Sequence, residues 1–203
     1  MNKLTDETGK TQEGLSDGPP LRVETQARLE EILESHRKRI LSEGKEGEPA
    51  DLQGVDLRGV DLSGADLRRV NFRGSDLRSG RLRGADLEEA NCWKANLQSA
   101  DLQEANLRNA ILMQVFLRQA NLRRANLNGA HLQMADLSGA DLEGATLVET
   151  HLEGANLEEA GLRGANLQEA RLQLANLTRA SGLTREQIES AVTDENTRLP
   201  AGL

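Results

Sequence analysis

The residues that could carry chemistry in this chain are few and far apart. His131 and His151 stand twenty residues apart, Cys92 is the only cysteine, and Asp or Asn recurs at most fifth positions from Asp51 onward. Two imidazoles are half of a zinc site, which needs three or four ligands. No third Cys or His joins them, because Cys92 is expected to point inward and His36 lies in a separate, helix-patterned segment. Cys92 has no activating base in view and reads as an inert core thiol. The repeated carboxylates Asp51, Asp56, Asp61 and Asp66 belong to different sides of one coil and do not converge. Asp and Asn are turn residues whose side chains accept hydrogen bonds from nearby backbone amides. Glycines such as Gly54, Gly59 and Gly84 fall at exterior repeat positions, not in a strand–loop–helix phosphate loop. The expectation is therefore a non-enzymatic chain with no catalytic residue, metal or cofactor.

What positions these residues is a five-residue period. Ala-Asp-Leu or Ala-Asn-Leu recurs, as at Ala65-Asp66-Leu67 and Ala175-Asn176-Leu177. The central position runs from Leu52 to Leu177 without a skip, twenty-six repeats, all Leu except Phe72 and Cys92. On an α-helix successive centres would spiral round the axis. On a flat strand they would alternate between faces. The pattern works only if the chain turns a corner once per repeat, so that each Leu points inward with a small residue beside it. Aromatics are 1% of the chain and tyrosine is absent, so the core must be Leu and Ala. Four sides per coil follow from the exceptions. Phe72 and Cys92 are twenty residues apart and would stack, a large ring beside a small thiol, and Ile111, His131, His151 and Arg171 keep the same spacing. At about 4.8 Å per coil the solenoid would be about 31 Å long.

The A(D/N)LXX repeat over 50–181 resembles the pentapeptide-repeat family. That resemblance implies a right-handed quadrilateral β-helix; spacing alone does not supply the hand. Residues 1–20 are polar and read as a disordered leader, and 21–49 hold an amphipathic helix (24–42) and a connector. Residues 182–203 form a C-terminal cap and tail: Thr184 and Gln187 make a capping box for a helix over roughly 185–191, and Leu183, Ile188 and Val192 are expected over the last coil. The fold class is thus an all-β solenoid with short helices at both ends, which would shield the open edges of the ladder.

Net charge is −8, against a general nucleic-acid binder, and neither an N-terminal secretory signal nor an apolar run of membrane-spanning length is visible, so a cytoplasmic protein is expected. Sorting the exterior by side leaves one side distinct. Trp93, Ile111, Met113, His131, Met134, His151 and Leu174 project from it, whereas the other three carry mainly Phe116 and Val148 as large apolar residues. Such a cluster marks a contact surface. Its occupant is a protein partner, a second copy of the chain, or the chain's own helix 24–42. The resemblance also implies an alternative role, a DNA mimic acting on a type II topoisomerase (gyrase). Residues 50–124 carry 7 Asp and 3 Glu against 11 Arg and 1 Lys, net +2, and residues 125–181 carry 2 Asp and 6 Glu against 3 Arg, net −5, which is not the uniform acidity a duplex mimic needs.

Overall fold

A computed structural model describes residues 21–22 and 26–203; the leader expected over 1–20 lies outside the described residues. Each repeat turns one corner. The amide three residues past the centre donates to the central carbonyl, as from Val55 to Leu52 (3.2 Å) and from Ala175 to Leu172 (3.0 Å). The residue two past the centre has positive φ in all twenty-six repeats, from 54° at Asn109 to 68° at Gly154. That is a type II turn, and it explains why Gly fills ten of these positions. At the other sixteen an ordinary L-residue is held left-handed, at a cost on the order of 1 kcal/mol each. The Asp or Asn before the centre steadies the corner by accepting from the amide two residues on, as Asp51 does from Gln53 (3.2 Å).

Positions twenty residues apart pair in parallel. Asp51 pairs with Asn71, Asn71 with Asn91 and Asn91 with Ile111, and equivalent columns run on the other three sides as far as Gly161 with Ser181. Four repeats therefore close one coil. The interior is a continuous stack of Leu and Ala, with Phe72 and Cys92 buried one coil apart. A second volume exchange lies at the small positions, where a Val60 methyl reaches within 3.7 Å of the space a Cβ on Gly80 would fill. Two hydroxyls enter the core satisfied: Thr150 donates to the Leu127 carbonyl (2.8 Å) and Ser75 to that of Phe72.

Both ends of the ladder are occupied. Strand β1 (Leu21–Arg22) pairs in parallel with β2 (Val55–Asp56), below the first complete coil. Helix α1 (Gln26–Leu41) buries Leu29 and packs Ile32 and Leu33 against the core. His36, 2% exposed, fastens it: the Ala50 amide donates to Nδ1 (3.0 Å), so the ring proton sits on Nε2, which donates to the Arg68 carbonyl (2.7 Å). The connector returns through Gly47, where φ is 74° and a Cβ would lie 2.0 Å from the Ser35 carbonyl oxygen. Helix α2 (Arg185–Ser190) carries the capping box of Thr184 and Gln187. The Gln187 amide nitrogen also donates to the last-coil carbonyls of Leu162 and Ala165 (3.0 and 2.8 Å), so one side chain caps both helix and ladder. Leu183 and Ile188 are partly buried, but Val192 is 44% exposed and does not cover the core. Its backbone pairs with Arg171 instead, and Arg198 pairs with Asn176, so the tail extends two sides by one more rung. The reason is that an open ladder edge needs backbone partners before it needs apolar cover.

Candidate interaction surface

The side built on Leu52, Phe72, Cys92, Leu112, Leu132, Leu152 and Leu172 carries three exterior columns: the residue before each centre and the two after it. The column before it runs Asn91, Ile111, His131, His151, Arg171 and Val192, joined by backbone pairing. The structure therefore brings all seven expected surface residues onto one side. Met134 is 64% exposed, Leu174 60%, and Ile111 and Met113 38% each. Met134 and Leu174 occupy the left-handed turn position, with φ of 58° and 63°. Glycine would relieve both the backbone strain and the exposed apolar area, so two local preferences are overridden at once. The Met134 side chain lies across the next rung, its sulfur 2.6 Å from where a Cβ on Gly154 would sit.

Trp93 is half-buried between rungs, with the Arg73 guanidinium carbon 4.2 Å and the Lys94 Nζ 4.4 Å from its ring centroid. Among the described residues neither cation makes an ion pair. Other arginines do, as Arg171 with Glu153 on the same side and Arg68 with Asp66, Arg81 with Asp61 and Arg118 with Asp136 on the others. The rings of His131 and His151 stack at 4.7 Å between centroids, and His151 Nδ1 lies 3.4 Å from Glu153 Oε1. Burial, and secondarily the charge of His151, hold His131 below its ordinary pKa against a smaller opposing pull from Glu153. Among the described residues no group of three His, Cys, Asp or Glu is placed to hold a metal ion. Cys92 is buried, which pushes its thiol up to about 12.

One feature was invisible in the sequence. Four buried side-chain polar atoms lack a hydrogen-bond partner among the described residues: Arg73 Nε, Gln133 Oε1, Glu153 Oε2 and Gln173 Oε1. All four lie in the column that contains Trp93 and Met113. Trp93 above Arg73 and Met113 below Gln133 offer no polar partner, while Gln133, Glu153 and Gln173 are successive residues of the column whose buried oxygens all lack a donor. Helix α1 does not cover this side; its polar anchors, Ala50 and Arg68, belong to the first coil.

The repeat geometry and the sequence agree on the family. The chain matches the pentapeptide repeats, eight copies, over residues 50–84, 81–114, 114–144 and 140–179, and it belongs to that family. Its fold is the right-handed β-helix of pentapeptide-repeat proteins. Solved structures it is similar to include HetL, a pentapeptide-repeat protein involved in heterocyst differentiation regulation from the cyanobacterium Nostoc sp. strain PCC 7120, at 30% identity over 81% of this chain and 92% of that one, TM-score 0.24. A pentapeptide-repeat protein of the Arabidopsis thaliana thylakoid lumen is 28% identical over 70% of this chain and 82% of that one, TM-score 0.27. QnrB1, a plasmid-mediated fluoroquinolone resistance protein, is 19% identical over 70% of this chain and 78% of that one, TM-score 0.48. No curated protein matches the sequence. No helix among the described residues is long and apolar enough to cross a membrane.

Proposed function

We propose that this chain is a non-enzymatic, cytoplasmic interaction scaffold that presents the Trp93 side of its β-helix to a protein. The observation that carries this reading is the pairing of exposure with strain: Met134 and Leu174 are the most exposed large apolar residues of the β-helix and sit where the backbone favours glycine. A rigid ladder holds them in register at about 4.8 Å per rung, the preorganisation that a contact surface needs. The gyrase-directed duplex-mimic reading has less support, because arginine–carboxylate pairs stud the other sides and residues 50–124 carry net +2.

The test is site-specific photo-cross-linking in cells of the source. A photoreactive residue at Met134 or Met113 should yield a defined protein adduct. The same group at Ser99 or Gln168, on other sides, should not. Cross-links of equal yield from every side would sink the reading. Ile111→Glu combined with Met113→Glu should abolish the adduct while circular dichroism stays unchanged.

A further inference from the structure

Charge is unevenly shared among the four sides of the rod. Over residues 50–181 the Trp93 side carries three cations, Arg73, Lys94 and Arg171, against two carboxylates, Asp51 and Glu153, net +1. The other sides are net −1, 0 and −3 over the same span, and the whole chain is −8. Both anions of the Trp93 side are already partnered. Asp51 accepts from the Asn71 side-chain amide (2.8 Å) and the Gln53 backbone amide (3.2 Å), and Glu153 faces Arg171 (3.9 Å) and His151 Nδ1 (3.4 Å). Two of its cations are not. Of the fifteen Arg and Lys residues of 50–181, twelve make an ion pair among the described residues, and the three that make none are Arg73, Lys94 and Arg124. Arg73 and Lys94 meet at one ring, 4.2 and 4.4 Å from the Trp93 centroid. A ring face attracts a cation but cannot neutralise it. On the next rung Ile111 and Met113 are exposed.

We propose that the occupant of this surface is an acidic segment of a protein partner, which seats a carboxylate on Arg73 and Lys94 beside the Trp93 ring and an apolar side chain on Ile111 and Met113. This rests on the reading of the Trp93 side as a contact surface. Both cations are half-buried against the ring, so their charge is screened less than that of a fully exposed pair. A carboxylate that reaches them forms charge-assisted hydrogen bonds. A basic segment would set like charges together there, which selects against it. Arg171, the third cation of this side, is held by Glu153, so the attraction is centred on Trp93. The spacing suits an extended chain. Met113 stands one rung from Lys94 and two from Arg73, about 5 and 10 Å, and residues two apart on one face of a strand lie about 7 Å apart. The apolar contact gives the complex a component that salt does not remove, and the carboxylate gives it the choice of partner.

The experiment is a fluorescence titration of the full chain, in which Trp93, the only tryptophan, reports directly on the site. The probes are a blocked synthetic peptide, Glu-Ser-Leu-Ser-Glu-Ser-Leu, its counterpart with Lys in place of Glu, and a short DNA duplex. The proteins are wild type, Lys94→Glu and Arg73→Gln. Both substitutions place residue types that the repeats already use at those positions, as at Glu89 and Gln133, so both variants should fold, which circular dichroism checks. The Glu peptide should change Trp93 emission saturably and the Lys peptide should not. Each variant should raise the Kd for the Glu peptide by about tenfold or more. No saturable change up to about 1 mM overturns the proposal. So does a Kd that neither variant changes, or equal binding of the two peptides. A duplex that binds more tightly than the Glu peptide also overturns it, because the anion recognised is then a phosphate backbone. If the Met134 cross-linker captures a protein in cells and the adduct survives Lys94→Glu, the acidic segment is overturned and the contact surface stands; if no adduct forms at all, the contact surface falls with it.

Discussion

The Trp93 side and the side opposite it, built on Leu62, Leu82, Leu102, Leu122, Leu142 and Leu162, share one core and one turn geometry yet finish their exteriors in opposite ways. The opposite side satisfies itself rung by rung. Arg81 reaches Asp61 (2.9 Å), Asn121 donates to Asp101 (2.9 Å), Arg123 reaches Asp141 (3.0 Å), and Arg163 pairs with Glu143. The Trp93 side has fewer such pairs, Asn71 to Asp51 (2.8 Å) and Arg171 to Glu153 (3.9 Å), fills other rungs with rings, thioethers and amides, and leaves four buried polar atoms without partners among the described residues. A β-helix separates the two requirements: inward residues and corners make the fold, and exterior columns are left to vary.

The broadest test of this division is in the core. Leu132→Ala, beneath the Trp93 side, and Leu142→Ala, beneath the opposite side, both remove fully buried side chains. Each should cost about 2–5 kcal/mol in urea unfolding, and by similar amounts. A large inequality would mean that the sides do not share one core. Next in size is His36→Ala at the end of the rod, which strips partners from the Ala50 amide and the Arg68 carbonyl. Two abandoned backbone groups should cost about 2–4 kcal/mol. Amide exchange should speed up in the first coil, with no change in what the Trp93 side contacts.

A smaller effect sharpens the contrast directly. Met134→Gly and Leu174→Gly should each stabilise the fold by up to about 1 kcal/mol, because glycine takes the left-handed turn position without strain. Both should weaken association. Gly144→Leu, at the same turn position on the opposite side, has only an ordinary contact waiting for its Cβ, the Arg124 Cγ at 3.6 Å. It should destabilise by a similar amount and leave association unchanged. Melting temperature and adduct yield should therefore move in opposite directions only on the Trp93 side.

The smallest expected effects are in pH. On the Trp93 side His131 is held below its ordinary value, chiefly by burial, so the unfolded chain takes up the proton first as pH falls. Its contribution is complete above about 6.5 and is lost as pH drops below that value, a slope that His131→Gln should remove. On the opposite side the Arg81 guanidinium and the Ser63 hydroxyl hold Asp61 at about 2. Its contribution is present above the ordinary carboxylate range and is lost as pH falls toward about 2. Thermal melts between pH 2 and 8 should thus show two separate losses, the upper one removed by His131→Gln and the lower one shared by Asp61 with Asp66, Asp76, Glu143 and Asp194, which are also held below the ordinary carboxylate value.

Much of this was legible in the residues. The five-residue step, the small residue beside each Leu and the stacking of Phe72 with Cys92 define a four-sided coil, because only one closure returns every exception to the same side. The Thr184–Gln187 box was legible too, since capping is a local interaction between residues three apart. Other features were not. His36 looks like an apolar-face histidine until the first coil brings the Ala50 amide and the Arg68 carbonyl to its two nitrogens. Val192 looks like core cover until the tail's backbone is seen to extend the ladder. The cations against Trp93 come from one rung below and from the next residue in the chain, and only the closed coil sets all three together.

The sequence by itself determined the coil, its core and which residues share a side, because a strict period converts directly into geometry. The tertiary structure alone decided which polar groups find partners, which end of the rod α1 occupies and which side is left incomplete. Those outcomes depend on contacts between rungs twenty residues apart and between the coil and its flanks, and no local pattern encodes them.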